Sequence, residues 1–343
     1  MTTPIVSVLV PVFNGERFLK EALSSIAAQT LKDIEVIVSD DGSSDGSIGI
    51  ATQWQDRDAR FRVLASAHNL GMTANWNKAL GEARGKYVVK LDCDDAMRPR
   101  CLEELVNEME SHPHVYVAYC RTLSCDQNLE PYASYLGDTA LILNRLNPLQ
   151  RHMLPGHTWY EMCFSDIQLW HSNAQIHRRE NLLQLGGWDA TWGCGSDTGL
   201  ILRVLEQGKE VSHLPYAGIL YRHQDDSVSD NFRRKGWLRW EGTLIPLLSL
   251  ARFCQEGNKP SSRLRKEWWR YWRNLQQLRM DSDIDCFPEP IRTNIANAAT
   301  QVTRPSLDIL LAGQARQTLW HLKQLAQRRL LSNHRASLPT ENR

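Results

Sequence analysis

Apolar and polar positions alternate between two periods over the first 120 residues. Val6–Phe13 is a continuous apolar run, as expected of a strand buried on both faces. Arg17–Gln29 then places Phe18, Leu19, Ala22, Leu23 and Ile26 on one helical stripe. Further strands are predicted at Ile34–Ser39, Phe61–Leu64, Tyr87–Leu91 and Val115–Cys120. Helices are predicted at Ser47–Gln55, Thr73–Ala83 and from Pro99 to about Glu110. Strands alternating with helices predict a parallel or mainly parallel sheet.

Residues 121–170 read as irregular, with Pro131, Pro148 and Pro155. Asn173–His177 then reads as a strand, Asp197–Gln207 as a helix, and Val211–Leu214 and Ile219–Arg222 as two short strands. Beyond Asp230 the pattern becomes helical, basic and rich in tryptophan. This shift places a boundary after residue 230, with a catalytic domain over 1–230 and a basic helical region over 231–343.

Composition narrows the class. The chain has 343 residues, 42% hydrophobic and 23% charged, which is too apolar for disorder and sufficient for a large core. No apolar run reaches the roughly 18–20 residues that span a bilayer, and the N-terminus does not read as a signal peptide. The eight cysteines form no C-x-x-C pair, which suits reduced thiols in a cytoplasmic protein. A net charge of +1 conceals an asymmetry: residues from Arg233 onward carry 20 Lys and Arg against 9 Asp and Glu, so residues 1–232 carry a net −10. An acidic part that binds an anionic substrate needs a cation, and a basic part suits an anionic surface.

In open parallel sheets, ligands bind at the carboxyl ends of the strands. Three loops at such ends carry small or acidic residues: Pro11-Val12-Phe13-Asn14-Gly15, Asp40-Asp41-Gly42-Ser43-Ser44-Asp45 and Asp92-Cys93-Asp94-Asp95. None is a dinucleotide or P-loop fingerprint. The second also reads as a turn with a helix cap. The third crowds three carboxylates into four residues, an arrangement that repels itself without a cation. Mg²⁺ and similar hard ions bridge one or two carboxylates to phosphates. A Mn²⁺ or Mg²⁺ diphosphate site therefore accounts for the cluster.

The segments VSVLVPVFN (Val6–Asn14), VIVSDDGSSD (Val36–Asp45), HNLGMTANWNKAL (His68–Leu80), KYVVKLDCDD (Lys86–Asp95) and GGWDATWGCGSDTGLILRV (Gly186–Val204) together resemble family 2 glycosyltransferases of the GT-A fold, over about residues 5–230. The resemblance implies an α/β fold with a mixed, mainly parallel sheet flanked by helices and a C-terminal helical extension. It implies that Val10, Pro11 and Asn14 line the nucleobase pocket, with Asp40 or Asp41 accepting from the base. Asn69, Gly71 and Asn75 match the segment that meets the nucleotide-sugar. Asp92 and Asp94 match the DxD pair, the first near the ribose and the second on the metal, with Asp95 nearby.

Asp197 matches the catalytic base, though a helix N-cap is the plain alternative. Ser196 stands where the family has Glu. In the closing loop, from Tyr221 to Ser229, His223 falls one position early and Gln224 takes its place, which puts a metal role for His223 in doubt. Of the aromatics Trp159, Tyr160, Trp170, Trp188 and Trp192, Trp192 is assigned to the acceptor and Trp188 to the core. Lys90 reads as a surface lysine.

The implied activity is metal-dependent, inverting transfer from a nucleotide-sugar, a UDP-sugar first, to a glycan or lipid-linked acceptor in surface polysaccharide assembly. Peripheral membrane contact at the inner face, through the C-terminal region, is the expected attachment, and nucleic acid is not an expected partner. The competing readings are a non-catalytic sugar-nucleotide-binding protein and a nucleotidylyltransferase. The latter needs a Gly-rich basic loop after the first strand, whereas PVFNGER has one glycine.

Overall fold

Strand β1 (Val6–Val12) is buried at all seven positions and is flanked on both sides by parallel partners. It pairs with β2 (Ile34–Asp40) so that Val12 faces Asp40, and with β4 (Tyr87–Lys90) so that Leu9 faces Lys90. The parallel β3 (Phe61–Ala65) completes this half of the sheet. In the computed structural model, residues 3–132, 146, 149–164, 171–224 and 227–281 are described.

The other half of the sheet changes direction. Strand β8 (Gln175–Arg178) pairs antiparallel with β4 and with β6 (Val117–Cys125). Strand β6 runs parallel to β9 (Glu210–Arg222), and two short strands, β5 (Ala96–Met97) and β7 (His152–Pro155), pair antiparallel with β9. The order is β3-β2-β1-β4-β8-β6-β9-β5, with β7 also on β9. The expected mixed, mainly parallel sheet is present, with β3, β2, β1 and β4 all parallel. The two strands expected at 211–214 and 219–222 are one strand, bent where its register with β6 shifts around Arg121. Such a bulge leaves residues unpaired and breaks the period a sequence reader relies on.

Helices cover both faces. On one side, α1 (Glu16–Ala27), α2 (Ser47–Arg57) and α4 (Cys101–Ser111) pack on the Val6, Val8, Val10 and Val12 side chains. On the other, α3 (Met72–Glu82), α5 (Gly156–Cys163) and α7 (Ser196–Glu206) pack around Leu9 and Val117. A short helix, α6 (Arg179–Gln184), precedes the Gly186-Gly187 turn. After β9 come α8 (Val228–Arg234), α9 (Trp237–Gln255) and α10 (Ser262–Asp281).

The boundary expected at residue 230 does not separate two cores. Trp240, Leu244, Leu250, Trp268 and Leu275 lie in the same buried cluster as Trp159, Leu200 and Trp192. The tryptophans of the basic region thus supply a helical cap on the sheet, since indole surface is buried most favourably in a core. Among the described residues, no helix is long and apolar enough to cross a membrane. Trp170, Asp225, Asp226 and the chain beyond 281 lie outside the described residues.

Candidate active site

The carboxyl ends of β1, β2 and β4 bring the three expected loops to one edge of the sheet, as the strand register requires. The first two loops are tied together. Asn14 takes a left-handed φ of 51°, its N–H donates to Ser43 Oγ, and its Oδ1 accepts from the Ser44 N–H. Pro11 is buried opposite Ser39, just before this turn. Phe13, beside it, is 51% exposed, an unusual position for an aromatic ring.

Asp40 and Asp41 divide the work the sequence left open between them. Both oxygens of Asp41 accept from backbone, from Leu70 N–H at 2.7 Å and Gly71 N–H at 3.0 Å. Asn69 Oδ1 accepts from the same Gly71 N–H, and Gly71 has a φ of 92°, a region that favours glycine. Asp41 and Asn69 therefore shape the loop ahead of α3. Asp40 Oδ2 accepts from Gly42 and Ser43 N–H, whereas its buried Oδ1 has no hydrogen-bond partner among the described residues. A buried orphan acceptor is costly unless a ligand donor meets it. Asn75 corrects the expectation: it is buried, its Nδ2 donates to Ser39 O and its Oδ1 accepts from Ser39 Oγ. Both ends of its amide are spent on clamping α3 to β2.

The acidic loop after β4 holds three carboxylates in different states. Asp92 accepts from Lys90 Nζ at 2.7 Å. Burial pushes its carboxyl up, but the charge and hydrogen bond of Lys90 outweigh this and hold it below the ordinary value. Asp94 is pushed up to about 6, first by burial and then by the negative charge of Asp92. Its Oδ2 accepts from Gln224 Nε2 at 2.6 Å, so Gln224 does stand at the acidic loop. His223 instead lays its ring against Tyr221 and Tyr132.

Asp95 departs from the metal role expected of it. It is buried, Oδ1 accepts from Arg222 N–H at 2.9 Å, and Oδ2 accepts from Asn173 Nδ2. With both oxygens committed, it braces the loop against β9 and the turn at Ser172–Ala174.

Among the described residues, no group of three His, Cys, Asp or Glu forms a ready-made cation cage. Asp94 alone nevertheless fits a hard divalent ion, because its negative charge is under-compensated and such ions take one or two carboxylates plus phosphate oxygens.

Asp197 is the second residue of α7 and is held on several sides. Trp188 Nε1–H donates to its Oδ1 at 3.0 Å, and Lys90 Nζ lies 3.8 Å from its Oδ2. Burial raises its carboxyl above the ordinary value, with Lys90 working against the rise and Asp92 adding to it. Lys90 is no surface lysine: its side chain is 1% exposed, and Nζ sits 4.1 Å from the centre of the Trp76 ring. Trp188 is held in turn by Asn77, whose Oδ1 accepts from its N–H and whose Nδ2 donates to its carbonyl. Trp188, assigned to the core, is thus a partner of Asp197, while Trp192, assigned to the acceptor, is buried with its carbonyl accepting from Thr73. Ser196 is also buried, donating to Asp189 O and accepting from Thr73 Oγ1.

The glycine-rich loop before α7 is anchored from the C-terminal helices. Glu241 of α9 accepts from Gly193 and Gly195 N–H, each at 2.7 Å. A Cβ on Gly195 would come within 2.4 Å of the Ile245 side chain, so glycine permits this close approach.

Residues 7–166 match the family described as glycosyl transferase family 2, and residues 87–280, more than half of the chain, match glycosyl transferase family group 2. The chain belongs to glycosyltransferase family 2. Curated relatives include an uncharacterized glycosyltransferase of Haemophilus influenzae, 35% identical over 33% of this chain and 35% of that protein. Another is the uncharacterized glycosyltransferase EpsJ of Bacillus subtilis, 39% identical over 32% of this chain and 31% of its own. The cholesterol galactosyltransferase of Borreliella burgdorferi is 38% identical over 31% of this chain and 29% of its own. The chain spans about a third of the length of these relatives.

Among solved structures, S. aureus TarS 1–349 in complex with UDP shares the fold of this family 2 chain with a TM-score of 0.58 and 16% identity, over 88% of this chain and 81% of that one. The mannosyltransferase PcManGT of Pyrobaculum calidifontis, in complex with GDP-Man and Mn²⁺, does so with a TM-score of 0.52 and 17% identity, over 89% of each.

Lys90, Trp188 and Phe13 lie inside the quoted motifs without a site role read for them, and Glu241 lies outside those motifs. Phe13 alone offered a signal, an aromatic inside a loop of small and polar residues.

Proposed function

We propose that this family 2 chain is an inverting glycosyltransferase that moves a sugar from a nucleotide-sugar to a glycan or lipid-linked acceptor. One observation carries the reading: Lys90 joins Asp197 to the acidic loop, so the only carboxylate on α7's first turn stands beside the loop that would receive a diphosphate.

The chemistry follows from the residues. The orphan Oδ1 of Asp40 accepts an imide N–H of a base such as uracil, and the exposed ring of Phe13 offers it a stacking face. Asp92 would face the ribose, and Asp94 would hold a Mn²⁺ or Mg²⁺ ion. When bound, that ion supplies Lewis-acid stabilisation of the departing diphosphate. Asp197 accepts the proton of an acceptor hydroxyl while its oxygen bonds to the anomeric carbon. The bond from that carbon to phosphate oxygen breaks, and the electron pair leaves with the nucleoside diphosphate. Attack opposite the leaving group inverts the anomeric centre. General-base assistance of this kind is worth about 10²–10⁴ in rate.

UDP-sugars are the first donors to test, followed by GDP-sugars. Both kinds of nucleotide occur in complexes of the structures sharing this fold. The cholesterol galactosyltransferase among the relatives supports a lipid acceptor. Such chemistry belongs in the cytoplasm, where α10 could adsorb on an anionic inner leaflet through Arg265, Lys266 and Arg273.

A thermal-shift screen across UDP-, GDP- and dTDP-sugars with Mn²⁺ identifies the donor, because ligand binding raises native stability by mass action. Transfer is then compared in wild type, Asp197→Asn and Asp94→Asn. The reading requires Asp197→Asn to bind donor and lose transfer, and Asp94→Asn to lose Mn²⁺-dependent binding. Transfer by Asp197→Asn at the wild-type rate, or no stabilisation by any nucleotide, removes it. A non-catalytic binding protein would bind donor yet neither transfer nor hydrolyse it.

A further inference from the structure

Lys90 is a buried cation shared by the two sides of the site. It ends β4, and its ammonium is enclosed by Asp92 at 2.7 Å, Asp197 at 3.8 Å and the face of Trp76 at 4.1 Å. Trp76 in turn meets Trp188 edge-on at 5.7 Å, and Trp188 donates to Asp197. The two carboxylates come from distant parts of the chain, one from the loop after β4 and the other from α7. Without the ammonium these two half-buried carboxylates would repel each other across the site, and the repulsion would push Asp197 off its aim.

From this geometry we infer that Lys90 is a positioning residue: its ammonium holds Asp197 and Asp92 in a single ionic bridge that aims the base at the bound donor. The inference deepens the transferase reading and rests on it. Lys90 touches neither sugar nor phosphate; it acts through the two aspartates. The bridge is anchored at its donor end by the shorter contact to Asp92. The longer contact leaves Asp197 free to accept a proton while keeping its orientation, with Trp188 fixing the other oxygen. Aiming of this kind matters because a displacement of about 1 Å in a reacting group can cost roughly 10²-fold in rate.

The test uses Lys90→Met, which keeps the chain length and apolar stem, and Lys90→Arg, which keeps the charge. Donor affinity is measured by calorimetry with Mn²⁺ and the nucleotide that stabilises wild type. Transfer is measured in both variants and in Lys90→Met combined with Asp197→Asn. The expected result is a kcat about 10²-fold lower in Lys90→Met, with donor Kd within about threefold of wild type. Lys90→Arg should recover most of the loss. In the Asp197→Asn background, Lys90→Met should cost no further activity, because the lysine then has no base to aim.

Wild-type kcat in Lys90→Met overturns the inference, and so do losses that multiply in the double variant. If wild type binds donor but turns over no acceptor, the transferase reading fails. Lys90 is then judged by the crystal structure of Lys90→Met: an Asp197 that leaves the Trp188 indole supports the positioning role, and an unmoved Asp197 removes it.

Discussion

Trp188 Nε1–H points at Asp197 Oδ1 across 3.0 Å, so an indole counted as core packing orients the residue on which the proposed chemistry depends. Hydrogen bonds to a charged group contribute about 1.5–3 kcal/mol. Replacing Trp188 with Phe keeps an aromatic ring against Trp76 while deleting the donor and one ring of the buried indole. Transfer should fall roughly 10- to 100-fold while the melting temperature moves by a few degrees at most, as read by steady-state kinetics and calorimetry. An unchanged kcat would mean that Lys90 and the helix start suffice to hold the base.

Asp40 offers a cleaner probe of base recognition. In Asp40→Asn the amide oxygen can keep the Gly42 and Ser43 N–H bonds, which leaves an NH₂ group where the orphan Oδ1 now lies. A donor would then meet a donor. Nucleoside diphosphate affinity should weaken about 10- to 100-fold, the loss expected for one charge-assisted hydrogen bond. Isothermal titration checks it, and equal affinity in the variant would place the base elsewhere.

Glu241 tests whether the C-terminal helices reach into the site. Its carboxylate is buried, and burial raises its proton affinity against the pull of two backbone N–H groups. Glu241→Gln turns one acceptor into a donor facing Gly193 or Gly195. The expected cost is about 1–3 kcal/mol, seen as a melting temperature lower by roughly 1–4 °C. Because the loop leads directly to Asp197, kcat should fall more than KM rises. A variant with wild-type stability and kcat would show that the loop holds itself.

Acid stability should depend on Glu35. Burial alone pushes its carboxyl up, but Ser7 and Arg84 outweigh this and hold it below the ordinary 4.5. Four donors converge on it, from Ser7 Oγ and the Arg84 N–H, Nε and Nη2. A carboxyl lowered in the folded state stabilises at pH values above its unfolded value, and that contribution is lost as pH falls through the folded one. Glu35→Ala should cost about 1–3 kcal/mol at neutral pH, and the gap to wild type should close below pH 4.5 in urea melts. A gap that stays constant with pH would show that packing, not charge, carries the effect.

Much of the fold was legible because buried parallel strands announce themselves. Val6–Val12 and Ile34–Asp40 are apolar runs that no amphipathic helix would show. The bent strand Glu210–Arg222 was read as two pieces, since its interior holds Pro215 and Gly218 and shifts register against β6. In the site, the acidic loops were visible as clusters, but the roles within each cluster were not. Asp40 and Asp41 differ by which one the Leu70 and Gly71 amides reach, and Asp94 and Asp95 by which one Arg222 and Asn173 occupy.

The sequence by itself determined the alternation of strands and helices over the first 120 residues, the edge where three loops gather, and the carboxylates available there. These follow from local periodicity and from the rule that parallel strands present their carboxyl ends together. Only the tertiary structure decided which polar groups are spent on the protein and which remain for a ligand. That outcome depends on contacts between segments far apart in the chain: a lysine ending β4 is buried only because α7 brings Asp197 to it, and a glutamate on α9 matters only because two glycines let it approach. Burial sets the cost of an unpaired charge, and burial belongs to the assembled fold.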